Sequence, residues 1–434
     1  MILGRVSNNS IMNTRFLKMA IAALFLIIVF SAGADTEAPE RLFAHHGGDR
    51  NAEAFEAVWN TVNEKFFDPD FQGVDWQALR DRFNEAAAAA DSRDELSLVI
   101  NKMLAELATS HTAHYTPSDP SYYNIFDVYA RNPILNEHRE RIFGEADVSV
   151  EGIGIYTTEI DGKSFVDGVV EGTPAARAGV LYGDEIVSIE SAPFHPILSF
   201  LGKAGQEVEL LVRRTELGEP FILRVAVKAT NPASMFETAV FESAQVIVQD
   251  DIRIGYVHFW SSAGRRYRNA LEQLRQGGPL SDIDAIVIDM RGKVGGGGMS
   301  FLEVLDPRGP KLSFSGRGFS GESPASLRNK TVWLIDDSVR SSAELLAHTI
   351  CTDGYGMLVG NTTAGAVVGG SAYMMPDDSL LYVAVADLLV DGKRLEGHGV
   401  APHIQVDRPL QYVSGEDPQL ERALFEAGRL VTRE

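Results

Sequence analysis

A chain of 434 residues with 45% hydrophobic and 23% charged side chains has the composition of a folded, water-soluble protein, and it is too long for one ordinary core. Its net charge is −21, and because the first 34 residues hold Arg5, Arg15 and Lys18 and no acids, the remainder carries −24, which excludes nucleic acid as a natural partner. The single cysteine, Cys351, excludes an internal disulfide and reads as a packing residue on the apolar side of a helix.

Residues 1–34 read as a bacterial export signal. Met12 to Lys18 supplies a basic start, Met19 to Phe30 a 12-residue apolar run, and Ala32-Gly33-Ala34 a small-x-small cleavage site. The run is too short for a comfortable membrane span, so no stable span is expected after cleavage and the destination is periplasmic or secreted. Met12 offers an alternative start. Residues 35–119 read as a helical N-terminal domain, with Phe55, Val58, Trp59 and Val62 recurring at helical steps. That region closes on Thr109-Ser110-His111-Thr112, which places His111 on a loop as either a connector histidine or a chemical group. His114 lies three residues on, yet no third ligand cluster is evident and His398 and His403 are the only candidates to complete one, so no metal site is indicated.

Residues 120–147 are polar and charged and read as a connector, and 148–230 as a compact β unit. Within it, Gly152-Ile153-Gly154-Ile155 puts two glycines where backbone must approach something closely. Residues 245–434 read as an α/β unit. Asp284 to Asp289 is a buried strand running into Arg291-Gly-Lys293-Val-Gly295-Gly296-Gly-Gly298, an anion-binding loop or a flexible one. Val332 to Ile335 is a second buried strand, and after a polar turn Ser341 opens an amphipathic helix. A serine there is either an N-cap or a nucleophile beside free backbone N–H groups.

Taken together, these segments resemble the tricorn and C-terminal-processing family of serine peptidases. Asp289-Met-Arg-Gly-Lys-Val-Gly-Gly296 is similar to that family's Asp-Leu-Arg-x-Asn-x-Gly-Gly, with Lys293 in place of asparagine. Ser338-Val-Arg-Ser341-Ser-Ala-Glu344 resembles its Ser-Ala-Ser-Ala-Ser-Glu, with Ser342 in place of alanine and the nucleophile offset selecting Ser341. Gly360 to Ala366 and Leu395 to Pro402 match two further family segments. The resemblance implies a multidomain α/β fold: a helical N-terminal domain, a PDZ domain at 148–230, and a crotonase/ClpP-like protease core. Where Ser/Lys members carry their basic lysine this chain has Ala366, so the resemblance points to the tricorn-like Ser-His-Ser-Glu branch.

In that branch Ser341 is the nucleophile, His111 the general base, and Ser110 and Glu396 its supports. The oxyanion falls to the backbone N–H of Ser342 and of Gly295, with Gly296 adjacent. Lys293 is an alternative base. The PDZ resemblance implies capture of protein or peptide C-termini at Gly152, Ile153, Gly154 and Ile155. No metal or organic cofactor is implied, and oligomeric state is left open. The competing reading is a catalytically silent PDZ adaptor of the same fold; a third is an acyl hydrolase acting on another bond. Retention of both His111 and Glu396 favours the peptidase.

Overall fold

The computed structural model describes residue 43 and residues 49–129, 132–143, 147–292, 300–306, 313–316, 319–322, 326–327 and 330–432. The expected export signal, Lys293, Gly295 and Gly296 lie outside the described residues.

Three helices open the chain: α1 (Asp49–Lys65), α2 (Trp76–Ala88) and α3 (Arg93–Ala105). Asp75 caps α2 by accepting from the Ala78 N–H, and Ser92 caps α3 by accepting from Glu95. Their apolar faces do not close on themselves. Phe55, Val58, Leu96 and Ile100 share one core with Val368, Leu381 and Val383, which belong to β16 (Val368–Met374) and β17 (Leu380–Asp387). The short β1 (Ala113–Tyr115) pairs antiparallel with β17, Ala113 opposite Tyr382. The helical region is thereby stitched to the C-terminal half, and Ser110 and His111 travel with it.

The expected connector folds as α4 (Pro120–Val128) and α5 (Pro133–Phe143). Asp119 caps α4, Pro120 sits in its first turn, and Tyr122, Tyr123 and Phe126 are buried, so the aromatic residues that punctuate this polar stretch are its packing face.

The β unit begins with β2 (Val150–Gly152) and continues through β3 (Ile155–Ile160), β4 (Lys163–Val169), α6 (Pro174–Ala178), β5 (Glu185–Ile189), β6 (Glu207–Arg213), β7 (Phe221–Ala226) and β8 (Lys228–Thr230). Strands β3 to β7 form an antiparallel sheet in sequence order, with β3 at one edge, while β2 pairs with β8. Ile153, Val166, Ile186, Phe200, Leu210 and Val225 fill its own core.

The last unit comprises α7 (Pro232–Ser243), β9 (Gln245–Gln249), β10 (Ile252–His258), α8 (Arg265–Gln276), β11 (Ala285–Asp289), α9 (Ser300–Leu305), the hairpin β12 (Ser313–Gly316) and β13 (Phe319–Glu322), β14 (Thr331–Ile335), α10 (Ser342–Asp353), β15 (Met357–Gly360), β18 (Ile404–Gln405) and α11 (Pro418–Thr432). Its sheet runs β18-β15-β14-β11-β10-β9, parallel except for β9. Every residue of β11 and β14 is buried, as expected of strands covered on both faces. One face packs on α7, α8 and α10, and the other on Ala423 and Ala427 of α11. Cys351, expected to pack, is exposed instead: it falls on the outer side of α10, whose inner side is Ala343, Leu346, Ala347 and Ile350. Among the described residues no helix is long and apolar enough to cross a membrane.

Candidate active site

The carboxyl ends of β11, β14 and β15 point to one side, where open parallel sheets place their ligand crevices. After Ile335 the chain turns sharply, and Ser341 adopts φ 59° and ψ −136° immediately before α10. A non-glycine residue held in that region costs about 1–3 kcal/mol and persists only where its surroundings over-determine it. Here the surroundings are Glu344, buried in the first turn of α10. Its carboxylate accepts from Ser341 N (3.2 Å), Gly365 N (2.8 Å), Ala366 N (2.7 Å) and Thr363 Oγ1 (2.6 Å), and Ser341 N also donates to the Ala366 carbonyl (2.9 Å). Burial raises the Glu344 pKa despite these donors. Ala366, where the resemblance would put the lysine of Ser/Lys peptidases, thus meets the serine through its backbone carbonyl and brings no base. The Ser342 N–H has no hydrogen-bond partner among the described residues.

The second component arrives 230 residues earlier in the chain. Ser110 and His111 lie between α3 and β1, with His111 at φ 56°. Ser110 Oγ is 2.9 Å from His111 Nδ1 and donates to Glu396 Oε2 at 2.9 Å. Glu396 also accepts from Ser110 N (2.8 Å) and Val367 N (2.6 Å), so the carboxylate ties the histidine loop to the strand that follows Ala366. Gly365 makes this possible: a Cβ there would lie 2.8 Å from the His398 N. A carboxylate surrounded by donors accepts the hydrogen bond of the Ser110 hydroxyl, leaving the Ser110 oxygen to accept from Nδ1–H of His111. The unprotonated nitrogen of the ring is then Nε2. Burial, reinforced by the charge of Arg340, lowers the His111 pKa to about 4, and Tyr382 packs on the ring at 5.2 Å between centroids.

His111, Ser341 and Ser342 line a single cleft of about 900 Å³, with Arg340, Tyr382, Tyr129 and Tyr156 on its walls. No hydrogen bond joins Ser341 Oγ to the His111 ring among the described residues. Gly152, Ile153, Gly154 and Ile155 lie apart from it, along a small cleft of about 70 Å³ that Ile197, Phe200 and Tyr123 complete. Of the other histidines of the sequence, His114 lies within hydrogen-bonding distance of Ser97 (2.9 Å) and Ser379 (2.6 Å), Nδ1 of His403 accepts from Leu358 N, and His398 is exposed with Nδ1 3.0 Å from the Glu396 carbonyl oxygen. Among the described residues no three His, Cys, Asp or Glu side chains gather as a metal site.

Two clusters in the cleft wall escaped sequence reasoning. Arg291 forms buried ion pairs with Asp289 (2.6 Å) and Asp417 (2.7 Å), fastening the end of β11 to the start of α11. His258 lies between Glu171 Oε1 (2.7 Å) and the Arg291 carbonyl (2.8 Å). The Asp-x-Arg spelling hinted at the first; Glu171 and His258 are too far apart in the chain for any local pattern to join them.

Residues 253–406 match peptidase family S41, and residues 49–105 match the tricorn protease C1 domain. Tricorn protease homolog 1 of Streptomyces coelicolor is 26% identical over 391 residues, which covers 85% of this chain and 34% of that protein. Carboxy-terminal processing protease CtpB of Bacillus subtilis is 27% identical over 288 residues, 62% of this chain and 58% of that one. The chain therefore spans about a third of the tricorn relatives it matches and somewhat over half of the processing protease. The crystal structure of the tricorn protease shares its fold, with a TM-score of 0.51 at 17% identity over 89% of this chain and 37% of that one.

Proposed function

We propose that this chain, which carries a peptidase family S41 domain, is an exported serine endopeptidase that uses a histidine base. The observation that carries the reading is the hydrogen-bonded series Glu396–Ser110–His111 opening onto the same cleft as Ser341. In this mechanism Nε2 of His111 takes the Ser341 hydroxyl proton as Oγ attacks the scissile carbonyl. The tetrahedral oxygen is met by the Ser342 N–H, with Gly295 or Gly296 as the second donor, and losing one such donor costs about 100- to 1000-fold in rate. The imidazolium returns its proton to the departing amine, leaving an acyl-serine. Water, deprotonated by the same ring, then releases the acid. Ser110 and Glu396 hold Nδ1 protonated and thereby keep Nε2 the basic nitrogen.

Substrate capture falls to the β unit, read as a PDZ domain. β3 sits at the edge of its sheet, and Gly154, at φ 87°, packs so closely on Thr173 that no Cβ would fit. An extended peptide adding to β3 would bring its carboxylate to the 152–155 backbone, which makes protein C-termini the ligand class. The periplasmic placement rests on the signal-like composition of residues 1–34.

Casein digestion by the purified mature chain tests the reading beside Ser341→Ala, His111→Ala and Lys293→Ala. Activity lost in the first two and kept in the third is expected. Loss on Lys293→Ala with survival of His111→Ala would move the base to the lysine. No turnover by any form, with C-terminal peptides still bound, would make the chain an adaptor.

A further inference from the structure

The far wall of the cleft holds a second imidazole that the mechanism does not use. His258 ends β10 and is almost wholly enclosed. Nδ1 is 2.7 Å from Glu171 Oε1, Nε2 is 2.8 Å from the Arg291 carbonyl oxygen, and Trp260 Nε1 donates to Glu171 Oε2 at 2.7 Å. A ring with an acceptor at each nitrogen donates from both and is an imidazolium. The charged and titratable groups around it agree. Burial pushes its pKa down, but Glu171 and Asp289 outweigh burial and hold it at about 9, with Arg291 and Tyr256 packed alongside and Asp417 and Arg408 beyond. Glu171 belongs to the β unit, between β4 and α6, so its carboxylate reaches across to the sheet of the last unit.

The bond to Arg291 gains meaning from what lies at the other end of the same peptide group. The Arg291 carbonyl and the Gly292 N–H belong to one planar unit. His258 holds the oxygen, while the N–H donates to Ser338 Oγ at 2.6 Å, and Ser338 in turn bonds to Asp336. Asp336 and Ser338 form the turn that delivers Ser341. Gly292 takes φ 67°, and a Cβ there would meet the Trp260 ring at 2.5 Å, so the peptide is also pinned from the side.

We propose that His258 and Glu171 are positioning residues for the nucleophile, setting the Ser338–Ser341 turn through the Arg291–Gly292 peptide. The inference rests on Ser341 being the nucleophile and deepens that reading. A displacement of about 1 Å at a nucleophile costs about a hundredfold in rate. Glu171→Gln removes the charge and turns an amide toward the Trp260 N–H.

Steady-state cleavage by Glu171→Gln is expected to show kcat down about ten- to a hundredfold, with KM within about twofold of wild type. The alkaline fall in kcat, near pH 9 in the wild type, moves toward neutrality. Glu171→Asp, which keeps the charge, restores part of the rate and returns the fall toward its wild-type pH. A kcat within about twofold of wild type and an unshifted alkaline limb would overturn the proposal, as would a rate loss that Glu171→Asp does not relieve at equal melting temperature. If wild type cleaves nothing, the peptidase reading fails separately, and hydrogen exchange decides the positioning: Glu171→Gln should speed exchange at 290–292 and 336–341 and leave the helices at 76–105 unchanged. Unaltered exchange at the turn would overturn it.

Discussion

Ser341 and His111 both sit at positive φ, the first over a helix N-terminus and the second before a short edge strand. Neither is a glycine, so each is kept there by its partners, Glu344 for the serine and the Ser110–Glu396 pair for the histidine. With its pKa lowered to about 4 by burial and by Arg340, His111 is a free base throughout the neutral range. The acid limb of kcat/KM should therefore fall near pH 4, and in Arg340→Gln it should move upward, since one cause of the lowering is removed. A limb near pH 6.5 in the wild type would mean that burial and Arg340 do not lower His111 in the working enzyme. Ser110→Ala frees Nδ1 to change tautomer and should lower kcat about ten- to a hundredfold with little change in KM. Ser110, His111, Ser341 and Glu396 could be named as candidates because short motifs spell them in order. Their backbone strain was not, since a serine or histidine letter carries no sign of φ, and Glu171 with His258 was invisible for want of any local spacing.

At the scale of elements, the turn that carries Ser341 depends on one buried carboxylate satisfying four donors. Glu344→Gln offers a single oxygen to Ser341 N, Thr363 Oγ1, Gly365 N and Ala366 N; Ser341 N keeps the Ala366 carbonyl, but at least one other donor is stranded against the new amide N–H2. Each stranded donor costs about 1–3 kcal/mol, so the variant should lose about 3 kcal/mol, read as a lower urea midpoint, together with most of its activity. Activity lost at unchanged stability would show that the carboxylate acts in the chemistry and not in holding the turn. Buried strands were easy to read from unbroken apolar runs such as Ala285–Ile288 and Val332–Ile335. The helices α4 and α5 were not, because a polar stretch whose apolar residues include several tyrosines and phenylalanines shows little helical periodicity until a partner surface is known.

For the whole molecule, the sequence order of units hides how they share cores. Helices α1 to α3 look self-sufficient by periodicity, yet Phe55 and Ile100 need Leu381 and Val383 to complete their packing. No single-sequence pattern marks a contact across some 300 residues. The histidines also set a pH dependence of global stability. His111 and His114 are each lowered to about 4 from 6.5, chiefly by burial, so the unfolded chain binds more protons between those values and stability falls as pH drops through that window. His258 is raised from 6.5 to about 9, so its contribution is complete below 6.5 and is lost as pH rises through 9. Melting temperature should peak near pH 6.5 and decline on both sides. A melting temperature that keeps rising to pH 9 would mean that His258 is neutral in the folded state.

The most direct test of the central claim is to map where a fluorophosphonate attaches. Incubated with the purified mature chain at neutral pH, the probe should form one covalent adduct, located by peptide mass spectrometry on Ser341, and the adduct should vanish in His111→Ala. An adduct on Ser342, or undiminished labelling of Ser341 without His111, would contradict the proposed histidine-activated serine.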